Sequence, residues 1–116
     1  MKILKSCLLA VLLLTIFIPR IQAQRTENFK SPQYEFKTAM DLFSNEKYGS
    51  AQQYFKYVFE HTTDMQQDLR TNSYYYQGVC AEKLDNPDAA YLLQGFIDRY
   101  PVHSYVPEAR YYLGRH

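Results

Sequence analysis

Ala39, Gly78 and Gly114 are small residues in similar helical contexts, 39 and then 36 positions apart. Small residues recurring at a period of about 34 to 40 mark helical units that bury their apolar faces only by stacking on one another. The spacing predicts an all-α chain of antiparallel helix hairpins stacked as a short α-solenoid. Such an architecture favours a binding scaffold over a catalyst.

The helices are read from the period of the apolar residues. Phe36, Ala39, Met40 and Phe43 fall at helical spacing, and Asn45 suits the left-handed turn that closes a helix. Tyr48, Ala51, Phe55, Val58 and Phe59 form the stripe of a second helix, with Gln52, Gln53, Lys56 and Glu60 mostly off it. Asp64, with Gln67 three residues on, fits a capping box for a third helix carrying Leu69, Tyr76, Val79, Cys80 and Leu84. Asn86 caps a fourth, with Pro87 at its first position and Ala89, Ala90, Leu93, Phe96, Ile97 and Tyr100 on its apolar face. Pro101 ends that helix, and Pro107 starts a fifth with Ala109, Tyr112 and Leu113 inward. No stretch alternates strictly enough for a strand. Ala109 to His116 reads as helix without a stop signal, so about two and a half units are expected, incomplete at the C-terminal end.

At the other end, Lys2 and Lys5 precede an apolar run from Cys7 to Ile18, and Pro19, Arg20 and the small Ala23 follow it. This is the layout of a secretory signal peptide, residues 1–23, and the run is too short to span a bilayer. A lipid-modified cysteine would have to follow the apolar run, whereas Cys7 precedes it. Residues 24–32 lack periodicity and read as a flexible leader, leaving 33–116 as the repeat domain. Removing Lys2, Lys5 and Arg20 takes the 13 basic residues to 10 against 12 acids, a mature net charge of −2. Neither sign is clustered, which gives no electrostatic case for nucleic acid. Cys80 becomes the one mature cysteine, so an internal disulfide is excluded and burial as a small hydrophobe is expected.

With these helices in place, the chain resembles the tetratricopeptide repeat family. Ala39, Leu42, Phe43, Tyr48, Ala51, Phe55 and Val58 match its spacing. So do Gly78, Ala81, Ala89 or Ala90, Leu93 and Phe96, with an offset of one residue between the halves of this second unit. Pro107, Glu108, Ala109, Leu113 and Gly114 open a third unit, and the stretch from Phe96 to Gly114 is similar to repeats of bacterial cell-envelope proteins. The resemblance implies that the first helix of each unit lines a groove for a protein or peptide partner. Carried over by position, that groove would be formed by Phe36, Met40, Phe43, Tyr75, Val79, Lys83, Tyr111 and Arg115. Relatives that clamp a terminal carboxylate use Lys and Asn where Phe36, Met40, Tyr75 and Val79 stand here, so an apolar or aromatic ligand surface is implied. The same residues would serve equally to pack against a neighbouring helix.

Catalytic patterns are missing from the sequence. His61, His103 and His116 each stand alone at a predicted loop or chain end, away from metal-ligand spacing. There is no glycine-rich phosphate loop, nucleophile elbow or zinc-protease helix. Asp85 and Asp88 flank Pro87 as helix-capping residues. No enzyme activity, cofactor, metal or small-molecule substrate is expected. All 12 tyrosines lie beyond residue 23, including Tyr74, Tyr75, Tyr76 and the pair Tyr111, Tyr112. Successive helical positions point about 100° apart, so at least one of each group should be partly exposed. The expected function is an exported, membrane-associated or periplasmic adaptor that does not itself span the membrane. The alternatives are a partial product of a longer repeat protein and an N-terminal accessory module of an envelope enzyme.

Overall fold

The computed structural model describes residues 30–115; the segment read as signal peptide and most of the leader lie outside them. Five α-helices follow in order: α1 (Pro32–Ser44), α2 (Tyr48–His61), α3 (Gln67–Lys83), α4 (Asp88–Arg99) and α5 (Val106–Leu113). A single 3-10 turn, Asp64–Gln66, leads into α3, and the described residues contain no strand. No helix among them is long and apolar enough to cross a membrane.

Local chemistry sets most of these ends, in some places by other residues than the sequence suggests. α1 starts inside the expected leader: Ser31 caps it, its Oγ accepting from the Tyr34 amide at 3.4 Å, and Pro32 takes the first turn, where its missing donor costs nothing. Asn45 is not left-handed; its Nδ2 donates to the Asp41 carbonyl at 2.8 Å, and Glu46 takes the positive φ of 59°. The expected capping box at Asp64 forms no side-chain cap bond. Instead Arg70 reaches back from α3 and donates to the carbonyls of Phe59 and Thr62 at 3.1 and 2.7 Å, satisfying acceptors left open at the end of α2. Asn86 Oδ1 accepts from the Asp88 amide at 3.4 Å just ahead of α4, but Pro87 rather than Asn86 holds the cap position there, and Pro101 and Pro107 fall at the boundaries expected of them.

The two complete helix pairs are joined by the same turn. Lys47 donates its amide to the Leu42 carbonyl, and Asn86 donates to that of Ala81, each at 2.9 Å. The residue before each donor, Glu46 or Asp85, is left-handed, at φ 59° and 51°. These atoms recur 39 positions apart, as do Ala39 and Gly78. The second helices recur one residue shorter: Ala51, Phe55 and Val58 are fully buried on α2, and Ala89, Leu93 and Phe96 on α4. Gly114 breaks the series, because it follows α5 and is exposed, and a Cβ added there would meet only the Arg110 and Tyr111 carbonyls of its own turn.

α3 holds the fold together. α1 packs on α2 and α3, α2 on α3, α4 on α3, and α5 on α4 and α3, whereas neither α1 nor α2 packs on α4 or α5. Only side chains bridge that gap, the Arg99 guanidinium lying 5.8 Å from the Phe59 ring. One cluster centres on Ala39, Ala51, Phe55 and Cys80, the other on Tyr75, Val79, Leu93, Phe96, Ile97, Val106 and Ala109. Because α3 has neighbours on several sides, its buried positions run almost unbroken from Ser73 to Glu82, and no single apolar stripe marks it.

Gly78 permits the α3–α4 approach: a Cβ there would stand 2.9 Å from Leu93 Cδ2 and 3.4 Å from the Leu93 amide nitrogen. Gly78→Leu is therefore expected to lower the urea midpoint by an amount equivalent to about 1–3 kcal/mol. Gly49 has nothing within 4 Å of an added Cβ, so Gly49→Ala should raise it by about 0.4–1 kcal/mol. Equal midpoints for the two variants would contradict the helix register.

Candidate binding surface

The run Tyr74, Tyr75, Tyr76 shows how α3 spends its aromatic residues. Tyr74 turns to α2 and α4, its ring 4.9 Å from Phe59 and 6.4 Å from Phe96. Tyr75 stacks on Tyr105 at 4.4 Å and meets Phe96 at 5.3 Å. Tyr76 points the other way, to Phe43 and Phe55, at 5.2 and 5.1 Å. Three consecutive side chains thus serve the core because together they reach α1, α2, α4 and the α4–α5 connection. Tyr74 and Tyr76 keep partial exposure, as helical geometry requires, and Tyr111 is 63 % exposed.

The groove positions divide accordingly. Phe36, Met40 and Phe43 are half-buried on α1 against the first cluster, with Phe36 edge-on to Phe55 at 5.7 Å and Phe43 edge-on to Tyr48 at 5.4 Å. Tyr75 and Val79 are each 2 % exposed and lie within the second cluster. Lys83, Tyr111 and Arg115 reach solvent. Arg115 Nε lies 3.7 Å from Glu82 Oε1, and its guanidinium is 6.0 Å from the Tyr111 ring. The Lys83 ammonium stands 5.7 Å from the ring of Tyr112, itself 5.7 Å from Tyr111. The accessible part is therefore a patch of two cations and two tyrosines where α3 meets α5, resting on the buried Glu82 carboxylate.

Glu82 and Tyr112 belong to this patch although the groove positions do not include them. A signal for Glu82 did exist: it stands 39 positions after Phe43, on the inward side of its helix. A carboxylate at such a place needs a cation, and Arg115 meets it.

Electrostatically, burial holds Tyr74, Tyr75, Tyr76 and Tyr112 in their neutral form. Burial above all, then the neighbouring Glu108 carboxylate, raises the Tyr75 hydroxyl far above its usual range. Burial, with a hydrogen bond to Tyr105, pushes Tyr76 up to about 12. Tyr112 is raised by burial and by Glu108 and Glu82, and burial raises Tyr74 against the opposing pull of Arg99. Cys80 is fully buried, and desolvation pushes its thiol up to about 12, which leaves no thiolate near neutral pH.

No family model, curated protein or solved structure matches the chain. Among the described residues, no group of three or more His, Cys, Asp or Glu side chains could hold a metal ion. Both described histidines serve local structure: His61 stacks on Tyr57 at 4.0 Å, and His103 Nδ1 accepts from the Tyr105 amide at 3.1 Å.

Proposed function

We propose that the chain is an exported, tetratricopeptide-like scaffold that binds another protein in the cell envelope. The observation that carries this reading is the recurrence, 39 positions apart, of one inter-helix turn together with its buried small residue. A repeated hairpin in which α1 and α2 reach the later helices only through α3 supports reading the chain as an array, and arrays present extended surfaces to partners. Charge and composition agree, since the nearly neutral, mixed surface favours protein over phosphate backbones. The patch of Lys83, Tyr111, Tyr112 and Arg115 supplies the residue types enriched in interface anchors.

Two measurements test the proposal in cells. Mass spectrometry of the purified mature protein should find Gln24 at its N-terminus and the chain in the periplasmic or outer-membrane fraction. A photo-crosslinking residue at Tyr111 should trap an envelope protein that the same residue at Gln53 does not. Tyr111→Ala should then weaken that complex by about 1–3 kcal/mol. A full-length product retained in the cytosol, or crosslinks from Gln53 alone, would overturn the reading.

A further inference from the structure

Gly95 sits within α4, where glycine weakens a helix, and its position has a visible reason. A Cβ there would collide with the hydroxyl oxygen of Tyr74, which reaches across from α3. The missing side chain lets a tyrosine hydroxyl come up against the α4 backbone, at the edge of a cleft of about 560 Å³. That volume lies within the range of small-ligand sites. Tyr91, Gln94, Gly95 and Asp98 fall at i, i+3, i+4 and i+7, one face of α4, and line the cleft together with Arg99 and Tyr74. The core does not use Tyr91, which is 78 % exposed.

The polar groups of the cleft are ordered before anything binds. Gln94 Nε2 donates to Asp98 Oδ1 at 2.8 Å, which fixes two planar groups and leaves the Gln94 oxygen and the second Asp98 oxygen as acceptors. The Arg99 guanidinium lies 5.4 Å from the Tyr74 ring and 5.8 Å from that of Phe59, so aromatic faces hold it. No carboxylate among the described residues pairs with it, and its N–H groups remain donors at the solvent-exposed wall.

This combination selects among ligand classes. Asp98 and Arg99 oppose each other in charge, so neither a simple anion nor a simple cation is favoured. A wholly apolar molecule would cover the Asp98 carboxylate and the Gln94 amide without giving them partners. A sugar ring meets both demands. Its C–H face lies flat on a tyrosine ring, and its adjacent hydroxyls each donate and accept, which suits planar carboxylate, amide and guanidinium groups.

We infer that the cleft beside Tyr74 on the outer face of α4 binds a neutral carbohydrate, with the exposed Tyr91 ring as the stacking platform and Gln94, Asp98 and Arg99 as partners of its hydroxyls. The site shares no residue with the α3–α5 patch, so it adds a ligand to the proposed scaffold and does not depend on that patch binding a protein. Because the cleft opens along a helix face, oligosaccharides should bind better than single sugars.

The test titrates the mature chain with cellotriose and with the trisaccharide of N-acetylglucosamine at millimolar concentration, followed through the Gln94 side-chain amide and the Gly95 backbone amide signals. Saturable shifts at both residues with at least one of the sugars are expected. Tyr91→Ala should then weaken binding about tenfold, the loss of one stacking face, while its urea midpoint stays at that of the parent because the ring is exposed. Tyr91→Phe keeps the face and should bind like the parent. Three results would overturn the inference. One is the absence of a saturable shift with either sugar. Another is the same shifts with sodium acetate or with N-acetyl-tyrosinamide, which would mean that the cleft takes an anion or an aromatic ring. The third is a folded Tyr91→Ala variant that binds the sugar as tightly as the parent.

Discussion

Tyr75→Ala is expected to destabilise the fold by about 3–5 kcal/mol, the range for truncating a buried aromatic residue. The ring is 2 % exposed, stacks on Tyr105 and closes against Phe96, so its loss opens a cavity where α3, α4 and the α4–α5 connection meet. Its hydroxyl sits beside Glu108, whose carboxylate loses a neighbour as well. For a domain of this size that is a large part of the total stability. Tyr111→Ala, at a ring 63 % exposed, should stay within about 0.5 kcal/mol of the parent. Urea titrations of the two variants make the comparison. Similar losses at both positions would show that the division between core and surface tyrosines is wrong.

Raising the pH should unfold the protein well before the tyrosines of the folded state ionise. Cys80 is pushed from 9.0 up to about 12 and Tyr76 from 10.0 up to about 12, while Tyr74, Tyr75 and Tyr112 are raised as well. Raised values mean that the folded state holds these protons more tightly than the unfolded chain does. The stability they contribute is complete below pH 9, begins to fall as an unfolded Cys80 ionises, and falls faster above pH 10 as the tyrosines join. Each group adds a slope of at most about 1.4 kcal/mol per pH unit, so Cys80 and Tyr76 together remove up to about 2.7 kcal/mol per unit above pH 10. Thermal melts at a series of alkaline pH values would follow the decline. Cys80→Ala should flatten it between pH 9 and pH 10, where the thiol acts alone. Stability that stays level through this range would show that these side chains are not sealed from water.

Helix existence was legible because proline and period agree: Pro101 and Pro107 stand at or beside helix ends, and the stripes of α2 and α4 bury Ala51, Phe55, Val58, Ala89, Leu93, Phe96 and Ile97, whereas Pro32, read as leader, opens α1. Turn chemistry was less so. Asn45 has the better intrinsic preference for a left-handed conformation, yet its amide is drawn into a bond with the Asp41 carbonyl, and the next residue takes the strain. The periodic reading found α3 but not its buried face: Leu84, on the expected stripe, is 45 % exposed. A helix surrounded on several sides has no solvent face to contrast with its core, and Ser73 and Gln77 are buried there without any pattern to announce it.

The candidate surface was legible only in part. Repeat position places Tyr75 and Tyr111 on corresponding faces, but Tyr105, delivered by the α4–α5 connection, lies over Tyr75, while Tyr111 stays 63 % exposed. Periodicity states which way a side chain points along its helix. It does not state what a loop brings down on top of it.

Two helix pairs that meet only through α3 also shape how the chain reaches its fold. Every helix packs on partners close to it in sequence, and the longest packing separations run from α1 to α3 and from α3 to α5. Loop closure over such distances costs little entropy, and contacts this local belong to fast folding. Because α1–α2 and α4–α5 share no direct packing, either pair can form first and offer α3 a surface to complete. The central helix, with the poorest amphipathic pattern of the five, is the one whose ordering each end must await.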